Sequence, residues 1–185
     1  LFRSIDWVSG SSYRREKCLE LMKIIHPTCI RGNYSEIQAL LHNCGTVTGV
    51  DAAEDALAEA EETDLPELMK QYAKENQMIL VASGEIDLIT DGSCVYRCHN
   101  GSPMMARITG SGCMSTVMLG AFLSAENSVE SAVACCAFTG IAGELAAKEM
   151  TAQKRGTMTF RNWFIDAVSL MTPEQLEHGT DVDWF

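Results

Sequence analysis

The sequence predicts an α/β fold, an open sheet covered by helices. Three observations carry that expectation. Met78-Ile79-Leu80-Val81 is a continuous apolar run, the mark of a strand buried on both faces. Segments with apolar residues three and four apart alternate with such runs. The resulting order is helix, strand, helix, strand, hairpin, helix, helix, without an internal repeat. A length of 185 residues fits one domain, or one domain and a fragment of another.

Residues 13–25 read as a helix, with Leu19, Met22, Lys23 and His26 on one face and Pro27 ending it. Thr28-Cys29-Ile30 is a short strand leading into Arg31-Gly32-Asn33. Residues 35–42 start a second helix on Ile37, Leu40 and Leu41. The acidic, Ala-rich stretch 51–64 reads as a solvated loop or surface helix. Residues 66–75 form a helix with Leu65, Leu68, Met69 and Tyr72 at helical spacing, and 77–82 the buried strand. Residues 86–90 and 94–98 are shorter strands around the hairpin dipeptide Asp91-Gly92, and His99-Asn100-Gly101 is a further turn. From Gly112 a long helix follows, with Met114, Val117, Met118, Ala121 and Phe122 expected to face inward. Ser128 caps the next, whose apolar residues surround it almost completely, so burial is expected. Residues 160–170 give one more helix, and 179–185 read as an acidic tail.

Composition narrows the function. Lys and Arg number 14 against 25 Asp and Glu, a net charge of −11, which argues against binding nucleic acid through its phosphates. A local anion site built from backbone amides remains open. No run reaches about 18 uninterrupted apolar residues, so no membrane span is expected. The eight cysteines are scattered, several of them inside apolar segments. Cys94, Cys98 and His99 come nearest to metal spacing, but no second ligand pair follows. Free thiols in a reducing cytoplasm are the expectation.

The sharpest chemical feature is Thr109-Gly110-Ser111-Gly112-Cys113-Met114. Two glycines open a long helix, whose first amides lack partners inside it and carry partial positive charge. Such a start can form an anion hole for a transferring phosphoryl group, with Cys113 at its mouth. The same residues also read as a tight loop and a small core cysteine. A second candidate is Arg31-Gly32-Asn33-Tyr34-Ser35-Glu36. There Asn33 and Glu36 either organise a hydrated Mg²⁺ or simply cap the helix, and Arg31 can reach a phosphate. The third, Ser83-Gly84-Glu85-Ile86-Asp87, lies just past the buried strand, where ligands of open α/β sheets bind, and otherwise is a polar turn.

These segments, in this order and with His99-Asn100-Gly101 between the last two, resemble hydroxyethylthiazole kinases of the ribokinase-like superfamily. The likeness runs from about Asp6 to about Met150 and more loosely beyond. It implies a three-layer α/β/α sandwich with a mostly parallel central sheet, forming a single kinase domain over 1–185. It implies transfer of the ATP γ-phosphate to the hydroxyl of 4-methyl-5-(2-hydroxyethyl)thiazole, with Mg²⁺, in thiamine synthesis and salvage. By that resemblance Asn33 and Glu36 organise Mg²⁺ and phosphate, and Arg31 contacts ATP. Ser83 stands where the family commonly has an ATP-contacting Thr. Gly110 contacts substrate, Gly110 to Cys113 form the anion hole, and Cys113 takes the place of the Asp base of related sugar kinases. A homotrimer with sites at subunit interfaces is implied as well.

Two departures accompany the likeness. The family carries part of its thiazole pocket in an N-terminal region, including a Met after a Ser-Pro pair, and Ser102-Pro103-Met104 lies too late to supply it. Asp6-Trp7-Val8-Ser9-Gly10 is similar to a shortened, altered form of the family's Asp-Pro-Val-Gly strand end. The expectation is therefore the C-terminal, nucleotide and phosphate half of the kinase. The alternatives are a truncated or non-catalytic nucleotide-binding subunit of this fold, a hydroxymethylpyrimidine-type kinase, or a metal or redox protein.

Overall fold

The computed structural model describes residues 4–6, 12–43 and 65–185. The expectations for 51–64, for Cys44 and for 7–10 lie outside them. The chain divides into two compact units. One contains the described residues up to Gly84 together with 88–95 and Phe185; the other contains 85–87 and 96–184.

In the first unit, strand β1 (Ser4–Asp6) pairs in parallel with β2 (Cys29–Asn33), and β2 in parallel with β3 (Ile79–Ser83). Strand β4 (Asp87–Thr90) then runs antiparallel to β3. The parallel pairs need crossovers, and helix α1 (Ser12–Ile25) supplies the first. Its last turn closes on Met22, whose carbonyl accepts from His26 N–H at 3.0 Å ahead of Pro27. Helices α2 (Tyr34–Asn43) and α3 (Leu65–Asn76) cover the strands. Ile37, Leu40 and Leu41 of α2 and Met69, Tyr72 and Ala73 of α3 bury against Ile30 and Leu80. Removing each large aliphatic side chain from water contributes about 2 kcal/mol. Strand β2 extends farther than the sequence suggests: Arg31, Gly32 and Asn33 are part of it, in register with Val81, Ala82 and Ser83. The hairpin dipeptide behaves as read, with Gly92 at φ 96°.

The second unit holds β5 (Val95–Cys98) from Tyr96 onward, a 3₁₀ turn (Met105–Arg107), and helices α4 (Ser111–Ala125), α5 (Val129–Ala152), α6 (Thr157–Leu170) and α7 (Pro173–Gly179). Strand β6 (Val182–Trp184) closes it, antiparallel to β5. Ser128 caps α5 as expected, its hydroxyl accepting from Ser131 N–H at 3.2 Å. Helix α5 is long and apolar enough to cross a membrane by length and composition, yet 61% of its most apolar window is buried within the protein. It is the central core helix of this unit. Ala142 and Ala146 pack with Ile108, Phe160 and Phe164, and a ring of half-buried methionines, among them Met104, Met105, Met114 and Met118, surrounds them.

One expectation holds only in part and another fails. Helix α4 keeps Met114, Met118 and Phe122 half-buried but leaves Val117 and Ala121 exposed. Its buried residues are Ser115, Leu119 and Leu123, and Val117 is 75% exposed. The helix is apolar all round, so its pattern selects no face. Ser115 can turn inward because its hydroxyl donates to the Ser111 carbonyl at 3.0 Å. Residues 179–185 are also not a tail. Arg97 pairs with Asp183 in register, and the acidic side chain that suggested solvation bridges Arg97 and His99.

Candidate functional site

The first cluster forms where two parallel strands end. Register places Asn33 beside Ser83, at the carboxyl ends of β2 and β3. It also places Asp6 beside Arg31 at the end of β1. Ligands of open α/β sheets bind at such strand ends, because the loops and helix starts there leave backbone groups unpaired. Strand β2 turns into α2 with no intervening residue. Asn33 is the pivot. Its Oδ1 accepts from Glu36 N–H at 2.9 Å and from the Ser35 hydroxyl at 2.8 Å, and its own N–H donates to Glu36 Oε2 at 2.8 Å. This is a reciprocal cap of the helix start. Of the two readings of this pair, the cap is therefore present.

The cap does not exhaust the acceptors. Glu36 Oε1 takes no hydrogen bond from the described residues, and the side chain is half-buried. One carboxylate oxygen suits a cation that keeps several of its own waters. It does not make a direct cage. Among the described residues no group of three His, Cys, Asp or Glu is placed to hold a metal. The residues present would thus fit a cation held through its own waters and not a direct cage.

Gly32 explains how Glu36 comes so close. A Cβ on Gly32 would stand 3.0 Å from Glu36 Cβ and 3.3 Å from Oε2. The Gly32 carbonyl accepts from the Ser83 hydroxyl at 3.2 Å, which ties β3 to this corner through a side chain as well as the ladder. Arg31, Asn33, Glu36 and Ser83 are thus gathered into one corner of this unit.

The second cluster is the amino end of α4. Gly110 is its N-cap, in the left-handed region at φ 94° and ψ 0°, and as a glycine it brings no capping side chain. The first backbone bond of the helix runs from Met114 N–H to the Gly110 carbonyl at 2.9 Å. The N–H groups of Ser111 and Cys113 precede it, and the helix itself supplies those two no acceptor. Ser111 Oγ turns back to the Ile108 carbonyl at 3.4 Å and does not close the end. Gly110 and Gly112 are half-buried and Cys113 is an exposed free thiol. A helix start of this kind favours an anion by charge and by hydrogen-bond direction together.

Other candidates find different employment. Cys98 is buried with its thiol against Asn100 Oδ1 at 3.9 Å, and burial pushes that thiol up to about 12. His99 Nε2 lies 2.9 Å from Asp183 Oδ2. The seven described cysteines are free thiols. A shallow hollow lined by Glu67, Leu68, Lys70, Gln71, Lys74 and Gly92 includes none of the candidate residues. The bridging role of Asp183 has no sequence signal, since Arg97 and His99 lie more than eighty residues away along the chain.

Comparison with known proteins gives a consistent picture. The model of the hydroxyethylthiazole kinase family matches residues 6–174. The chain is 38% identical over 169 residues to a protein of Methanosphaera stadtmanae named hydroxyethylthiazole kinase 1, covering 88% of this chain and 59% of that one. It is 34% identical over 173 residues to a hydroxyethylthiazole kinase of Clostridium acetobutylicum, covering 92% and 63%. The chain therefore spans about three fifths of the length of these relatives. Among solved structures, the hydroxyethylthiazole kinase protein from Pyrococcus horikoshii OT3 superposes with a TM-score of 0.81 at 23% identity, covering 98% of this chain and 65% of that one. That likeness fixes the fold as the α/β architecture of that structure.

Proposed function

The chain belongs to the hydroxyethylthiazole kinase family, and from that premise we propose that it serves the ATP-dependent phosphorylation of 4-methyl-5-(2-hydroxyethyl)thiazole on its hydroxyl. The observation that carries this reading is the start of α4 at a left-handed Gly110 that brings no capping side chain. Phosphoryl transfer passes through a loose transition state with charge spread over the equatorial oxygens, so positioning and charge neutralisation do most of the work. The amide-lined start of α4 receives that charge, with the N–H groups of Ser111 and Cys113 among its donors, while Gly110 adjoins the alcohol.

At the strand-end corner, Glu36 would hold a hydrated Mg²⁺ through its carboxylate, which Asn33 fixes in place. Mg²⁺, when bound, neutralises phosphate charge. Arg31 meets the nucleotide phosphates and the Ser83 hydroxyl adds a polar contact to ATP. Cys113 occupies the base position. An alcohol attacking a loose transition state needs little help from a base, so a thiol is tolerated there. The proposal includes cytoplasmic action and a homotrimer whose active sites lie at subunit interfaces.

The test is a direct phosphoryl-transfer assay with ATP, Mg²⁺ and the thiazole alcohol, read by formation of the phosphate ester. Ester formation supports the reading. ATP binding without ester, in a chain completed to its relatives' length, overturns it and leaves a nucleotide-binding subunit. Phosphorylation of a hydroxymethylpyrimidine in place of the thiazole overturns the substrate assignment alone.

A further inference from the structure

The segment that delivers Gly110 to the start of α4 begins at Gly101, and both glycines sit at positive φ, 151° and 94°. A stretch bracketed by two such residues has freedom at each end and needs to be held. Its far end is anchored by Ile108, buried among Ala142, Ala146, Phe160 and Phe164. Its interior is stitched locally: Met105 N–H donates to the Ser102 carbonyl at 2.9 Å and Arg107 N–H to the Met104 carbonyl at 3.1 Å.

At the near end a carboxylate reaches the turn, beside the bonds of Asn100. Glu144 Oε1 accepts from Gly101 N–H at 2.8 Å and from Asn100 Nδ2 at 3.2 Å. Asn100, only 8% exposed, is fully used: Nδ2 also donates to the Gly179 carbonyl at 2.8 Å, and Oδ1 accepts from Asp181 N–H at 2.8 Å. One turn earlier on α5, Gly140 clears the way, since a Cβ there would fall within 2.6 Å of the Asn100 backbone. Gly140 and Glu144 are four apart and so share a helix face. Helix α5 thus grips the Asn100-Gly101 turn with a gap and a charged acceptor.

We infer that Glu144 is a positioning residue for phosphoryl transfer. Its grip on Gly101 sets the path of residues 101–110 and through it the aim of the amides at the start of α4. The inference rests on the proposed function for its link to catalysis, but its structural half stands apart. Glu144 is solvent-exposed at its helix position, so shortening it empties no core space.

The experiment compares Glu144→Ala and Glu144→Gln by amide hydrogen exchange and by kinetics. A carbonyl oxygen in Gln can still accept both bonds, whereas Ala cannot. In Glu144→Ala, exchange at Met105, Arg107 and Met114 rises by about tenfold or more, as expected when a charge-assisted bond holding a local unit is lost. Phe160 N–H, bonded to the Gly156 carbonyl at 3.1 Å in the same unit, keeps its protection as the internal control. Turnover falls by about tenfold while KM for ATP stays within about twofold, and Glu144→Gln restores both readouts. Unchanged exchange in Glu144→Ala overturns the inference, as does an equal rise at Phe160 or an equal defect in both variants. Absence of turnover in the unsubstituted protein sinks the kinase reading alone, because the exchange measurement decides the positioning role without it.

Discussion

Replacing Gly110 by serine isolates backbone conformation from packing. Two glycines in the described chain occupy N-cap positions with open space where a Cβ would go, Gly110 before α4 and Gly156 before α6. They differ in φ: 94° at Gly110 and −103° at Gly156. An L-residue held in the left-handed region costs about 1–2 kcal/mol, and for a domain of this size each kcal/mol shifts Tm by about 2–4 °C. Gly110→Ser therefore lowers Tm by about 2–8 °C on that arithmetic. Gly156→Ser meets neither clash nor strain and gains a capping hydroxyl, worth a few tenths of a kcal/mol. Its Tm stays level or rises slightly. In the phosphoryl-transfer assay the first substitution also lowers turnover, because relaxing φ rotates the amides that follow, while the second leaves it intact. Differential scanning calorimetry of both variants supplies the comparison. Equal Tm shifts at the two positions would refute the argument, and so would a Gly110→Ser protein as active as the unsubstituted one.

Three further outcomes are expected. Glu36→Gln keeps an amide oxygen for the Asn33 N–H, so thermal stability changes by less than about 1 kcal/mol. Mg²⁺-dependent turnover nevertheless drops steeply, and a fully active Glu36→Gln would reduce Glu36 to a cap. The Asp183 carboxyl is held below its ordinary value, first by the hydrogen bond from Arg97 and then by that from His99. Its folded value is depressed, so the stability it adds is present above the ordinary carboxylate value near about 4 and is lost as pH falls through the folded value. Hydrogen exchange at residues 182–184 rises through that acid range, and Asp183→Asn shows the faster exchange already at neutral pH. Finally, alkylation at mildly alkaline pH labels exposed Cys113 and spares Cys98, whose thiol is pushed up to about 12 by burial. Mass spectrometry of the peptides reports the order, and early labelling of Cys98 would contradict its burial.

Which features the sequence discloses depends on whether their cause is local. Strand β3 is legible because Ile79 to Ala82 are buried on both faces, and so short a continuous apolar run suits a central strand better than a surface helix. The Ser128 cap and the Asp91-Gly92 turn are legible because the residues that stabilise them are adjacent. Helix α7 carries an equally local signal. Thr172 accepts from Gln175 N–H, Gln175 Oε1 accepts from Thr172 N–H, and Pro173 opens the helix. Strand β6 has no such mark. Val182-Asp183-Trp184 becomes a strand because Arg97 and His99 pair with its acidic residue across the ladder, a partnership invisible along the chain. The buried face of α4 is hidden for the opposite reason, since apolar residues on every side leave the choice to α5. The order of the candidate site segments is plain in the sequence. Gly140 and Glu144 are not, for they act on a turn about forty residues earlier.

The Asn33–Glu36 corner shows why a structural role and a ligand role need not compete. A reciprocal cap uses one carboxylate oxygen of Glu36 and one amide oxygen of Asn33. The second carboxylate oxygen is left over by stoichiometry, and the cap holds it still. A free surface glutamate must give up rotamer freedom to meet a hydrated cation, at a cost of about 1–2 kcal/mol. Here that cost is already met by folding, with Gly32 allowing the approach and Ser83 securing the Gly32 carbonyl. Capping thus preorganises the carboxylate that the Mg²⁺ reading requires. The two roles separate only on removal of charge with the cap retained, which is the change Glu36→Gln makes.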